Sequence, residues 1–60
     1  MAEWLVSLSN ALSGCENTEQ LAEAQNKHQA PMRGKVSAAD WERSRALMME
    51  AFERISNNEH

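Results

Sequence analysis

The chain has one cysteine, one proline, two glycines and no tyrosine. A single thiol excludes a disulfide within the chain. Cys15, His28 and His60 show none of the paired spacings of a zinc site, so no metal is expected. There is no Gly-rich phosphate loop. No apolar run approaches the ~20 residues of a membrane span. The first residues lack the basic start and apolar core of a signal peptide. A free thiol without an export signal fits a reducing cytoplasm, which is the expected location. β-formers are scarce too, with two Val and one Ile. No window alternates apolar and polar residues as a half-buried strand would, so the chain is expected to be all-α.

What is present is lean. Of the 42% hydrophobic residues, nine are alanine. Sixty residues form one domain, expected to span 1–60. A chain of this size buries only about 60% of the surface its unfolded form exposes, which leaves a monomer marginal. With disulfide and metal set aside, the expected supplement is a protein partner, or the chain itself in a homodimer. The net charge of −3 disfavours non-specific nucleic-acid binding.

Three helices are expected, over about 2–13, 18–29 and 38–56, with a tail at 57–60. Leu5, Leu8 and Leu12 recur at helical spacing, with Trp4 and Ala11 beside them. Gly14 is expected to end this helix in the left-handed conformation, with Cys15 folded back on the last turn. Asn17 or Thr18 then caps the second helix, with Gln20 as the reciprocal partner if Asn17 is the cap. Its apolar face is thin, namely Leu21, Ala24 and His28. Pro31 is expected to end or kink it. Gly34 marks a turn. Ser37 caps the third helix, and Ala38, Trp41, Met48, Phe52 and Ile55 form its stripe, with Ala51 alongside. The short link between the first two helices makes them an antiparallel hairpin, against which the longer third helix lies. The expected core is Leu5, Leu8, Leu12, Leu21, Trp41, Met48, Phe52 and Ile55.

Trp4, Val6, Leu47 and Met49 cannot all face so small a core. Trp and Met near Arg are enriched in interface cores, so Trp4, Leu47 and Met49 are candidate partner-binding residues. The alternative is that they complete the core. Cys15 is read as a buried corner residue, since a nucleophile needs a base and His28 lies some 15 Å along the second helix. Glu50 and Glu53 are expected on the outer face of the third helix, near Arg54. No enzyme and no cofactor are expected. Between Ala24 and Ala39 there is no acidic residue, while Lys27, Arg33 and Lys35 lie there and Arg43 and Arg45 follow. Arg33, Lys35, Arg43 and Arg45 are therefore candidate contacts to an acidic protein surface. Plain solvation is the commonest fate of such a patch; the alternative functions are a nucleic-acid-binding accessory protein that sets the segment 27–45 against phosphates, or a homo-oligomeric assembly subunit.

The pattern "EWLVSLSNALSGCENTEQL", followed by "DWERSRALMMEAFERI", resembles the small helical domain at the C-terminus of some phage single-strand annealing recombinases. The matching residues are Trp4, Leu8, Leu12, Cys15, Thr18, Leu21, Ala51, Phe52 and Arg54. Nothing in these residues matches the DNA-holding recombinase core. The resemblance thus implies docking in DNA recombination rather than annealing, as in a phage or prophage accessory or inhibitor protein that engages a nuclease or single-strand-binding protein.

Overall fold

The computed structural model describes residues 2–58. It holds three α-helices, α1 (Glu3–Ser13), α2 (Thr18–Ala24) and α3 (Ala38–Asn58), and no strand among the described residues. Between α2 and α3 the chain widens into a π-helical turn over Gln25–Gln29, then tightens into a 3-10 turn over Ala30–Met32. The all-α, three-helix expectation holds; α1 and α3 lie within two residues of the expected bounds, whereas α2 itself ends at Ala24, five residues short of the expected 29, where the π turn takes over.

In α1 the inward positions Leu5, Leu8 and Leu12 are buried. The helix does not end as expected. Gly14 sits at φ −88° and ψ −5°, in the right-handed region. The last turn tightens instead: Gly14 N–H donates to Ala11 O at 3.2 Å and Cys15 N–H to Leu12 O at 3.1 Å. The remaining demand of the open carbonyls is met from α3. The Arg54 guanidinium donates to Leu12 O at 2.7 Å and to Cys15 O at 3.2 Å. A cation at a helix C-terminus satisfies orphan acceptors and the negative dipole end together. Arg54 therefore binds α1, not the neighbouring glutamates of its own helix.

Asn17 is the cap of α2. Its Oδ1 accepts from Gln20 N–H at 2.9 Å. Gln20 Oε1 reaches back to Glu16 N–H at 2.7 Å, one residue earlier than in the usual reciprocal box. The π turn lies just before Pro31, whose ring in a regular α-helix would clash with the carbonyl of Lys27. Widening adds a residue to that turn, so the inward series runs Leu21, Ala24, Gln29. Gln29 is 3% exposed, while His28, expected on this face, is only half-buried. Gly34, at φ 77°, makes the expected turn, closed by Lys35 N–H to Met32 O at 3.0 Å.

Ser37 Oγ accepts from Asp40 N–H at 3.2 Å, capping α3 as expected. Twenty-one residues at about 1.5 Å each give ~32 Å, which sets the long dimension of the 37 × 17 × 16 Å molecule. No Gly or Pro interrupts α3, and it continues past the expected end at 56 to Asn58. The rest of the expected tail, like Met1, lies outside the described residues. Ser9 and Leu47 share a depression with Ser13 and Arg54, so α1 and α3 run in the same direction. Gln29 meets Ser44, while Thr18 and Phe52 line one groove, so α2 runs the opposite way.

The core joins Leu8, Leu12, Cys15, Leu21, Ala24, Ala51 and Ile55, with Trp4, Ala11, Leu47 and Met48 against it. Two expected core residues are displaced. Phe52 is 52% exposed and Trp41 half-buried. The inward stripe of α3 is Ser44, Leu47, Met48, Ala51 and Ile55, one position round from the expected one. Ser44 and Ala51 are small and lie 0% and 5% exposed. Small side chains let α3 approach closely, and the bulkier Phe52 is left on the flank.

Candidate docking groove

That rotation of α3 opens an apolar groove on the surface. Met49, 63% exposed, and Phe52 stand on α3 above Leu21 and Ala22 of α2. Between them runs a groove of ≈ 400 Å³, to which Met48 and Gln25 also contribute. Met49 and Phe52, one helical turn apart on α3, are thus large apolar side chains left exposed side by side.

The groove is continuous with a second depression of ≈ 380 Å³, because Gln25, Gln29 and Arg45 line both. Here Arg33 and Trp41 replace the aliphatic wall. At the junction lies a buried polar chain. Gln29 Nε2 donates to Ser44 Oγ at 2.9 Å, and the Ser44 hydroxyl donates to Trp41 O at 2.6 Å. Gln29 Oε1 is buried without a hydrogen-bond partner among the described residues.

The candidate residues separate into groups. Trp4 and Leu47 pack against the core, so for these two the core-completing alternative describes their packing. Met49 forms the groove wall, and Arg33 and Arg45 line the second depression. Lys35 and Arg43 are exposed and line neither. Arg43 and Arg45, two residues apart on a helix, point about 200° away from each other. Lys27 borders a separate depression with Cys15 and His28. The basic stretch of the sequence is thus divided among faces. Arg45 also sits 3.5 Å from Glu42, an exposed pair of little energetic weight.

Phe52 and Gln29 belong to this site, and neither is in the candidate set read from the sequence. Phe52 satisfies a helical stripe, and only tertiary contact reveals that the stripe is rotated. Gln29 is placed by the π turn, for which Pro31 is the one sequence signal. Cys15 is buried in the core, its thiol donating to Ala11 O at 3.3 Å. Among the described residues no group of three His, Cys, Asp or Glu side chains could hold a metal ion. No described helix is long and apolar enough to cross a membrane. Comparison with protein-family models, with curated proteins and with solved structures gave no match to this chain.

Proposed function

We propose that the chain is a small non-enzymatic protein-interaction module whose docking surface is the groove between α2 and α3. The observation that carries this reading is the exposure of Met49 and Phe52 beside one another over an apolar floor. Each is already about half covered, so each gains roughly 1–2 kcal/mol when fully buried. The pattern shared with the docking domain of phage annealing recombinases agrees with this role, and a phage-type accessory or inhibitor protein of the cytoplasm is the form we favour. The division of the cations over several faces favours protein over nucleic acid as the partner, since a phosphate backbone is best met by one continuous basic strip.

A photo-crosslinking side chain placed at Met49 tests the reading. It is expected to capture a defined partner from a lysate of the source cell. The same group at Glu23, outside the groove, is expected to capture none. Equal capture from both positions, or none from either, refutes the proposal. Capture of a second copy instead would identify the chain as a homo-oligomeric assembly subunit.

A further inference from the structure

Resting on that docking reading, we infer what kind of segment the groove receives: an amphipathic helix with an acidic end. Two observations converge on it. The first is shape. The lining of α3 extends from Trp41 to Phe52, about 17 Å at 1.5 Å per residue, which matches some three turns of a docked helix. The second is charge. Although the chain is acidic overall, Arg45 lines both depressions, Arg33 joins it in the second, and no Asp or Glu among the described residues lines either, the nearest carboxylate being the exposed Glu42 at 3.5 Å from Arg45. The cations lie at the Trp41 end and the apolar walls at the Phe52 end. An occupant of matching polarity carries apolar side chains at i, i+3 or i+4 at one end and carboxylates at the other.

The partner is therefore distinguished from a basic helix, which Arg33 and Arg45 would repel. It is distinguished too from a purely apolar one, which would set both guanidinium groups against hydrocarbon.

Fluorescence anisotropy with labelled synthetic helices tests this. The probe is an alanine-based peptide with leucines at i, i+4 and i+7 and three glutamates at one end. A second peptide replaces the glutamates by lysines, and a single-stranded oligonucleotide of similar charge is the third ligand. The acidic peptide is expected to bind about tenfold or more tightly than the basic one. Arg45→Glu is expected to remove that preference, while Arg43→Glu, outside the groove, leaves it within about twofold. Circular dichroism of each variant checks that it folds. Equal binding of both peptides overturns the acidic-helix inference and leaves the docking reading standing. Tighter binding of the oligonucleotide also overturns it. No peptide binding, with light scattering showing only monomer, removes both inferences. A dimer lost on Phe52→Glu, without peptide binding, assigns the groove to a second copy and overturns the acidic partner.

Discussion

Replacing Arg54 is the sharpest test of how this small fold holds together. Its guanidinium bridges 42 residues of sequence to Leu12 O and 39 to Cys15 O, tying α3 to the open end of α1. Hydrogen bonds from a charged group contribute about 1.5–3 kcal/mol each when well made. Only the 2.7 Å bond is short, the other being 3.2 Å, and the side chain is largely exposed, so solvent screens both. A total near 1.5 kcal/mol is the expected loss. Arg54→Met is the chosen change, because it keeps an apolar stem over the surface and removes only donors and charge. For a domain of this size roughly 4–8 °C of Tm accompanies each kcal/mol, so Tm should fall by about 6–12 °C. Arg54→Lys, with a point charge in place of a fork, should recover about half. Thermal melting followed by far-ultraviolet circular dichroism reads both. If the Met variant melts within about 1 °C of the parent, the interhelix cap adds nothing and the reasoning fails.

The two glycines should respond in opposite directions. Gly14→Ala is expected to raise stability by about 0.4–1 kcal/mol, because φ there is −88° and the added Cβ meets only Ala11 O at 3.7 Å. Gly34→Ala should lower stability by about 1–2 kcal/mol, since φ is 77°. Urea titrations distinguish the two. Ala51→Leu should cost about 1–3 kcal/mol by forcing α3 away from α1, whereas Ala46→Leu on the exposed face should change little in the same assay. Phe52→Gln should leave the fold within about 1 kcal/mol of the parent, against about 2–5 kcal/mol for Leu8→Ala. A large loss on Phe52→Gln would return that ring to the core.

Much of the fold was legible because its signals are local. The leucine repeat of α1, the Asn17 and Ser37 caps, the Gly34 turn and the Pro31 break each act within a few residues, and the structure carries all of them. What escaped is decided by tertiary contact. Two stripes of α3 share Met48 and Ile55, and one contains Phe52 where the other contains Ala51. Hydrophobicity prefers Phe52, but close approach of the helices selects Ser44 and Ala51. The same choice brought Met49 and Phe52 together as a surface, so the candidate groove was only half readable. The Arg54 cap spans most of the chain and has no local trace, and with it went the expectation of a left-handed Gly14.

The π turn has a consequence for how this chain tolerates changes of length. In an ordinary helix, deleting one residue rotates everything downstream by about 100° and exposes the buried face. Here the ladder already holds one residue more than regular coiling needs between Ala24 and Gln29. Removing Asn26 would take out that residue and keep Gln29 facing inward, at the cost of about 3 kcal/mol for setting the Pro31 ring against the Lys27 carbonyl. Gln25–His28 is thus the stretch of this bundle where a lost codon turns the downstream chain least. Deleting Ala22, inside regular α2, has no such slack and should unfold it.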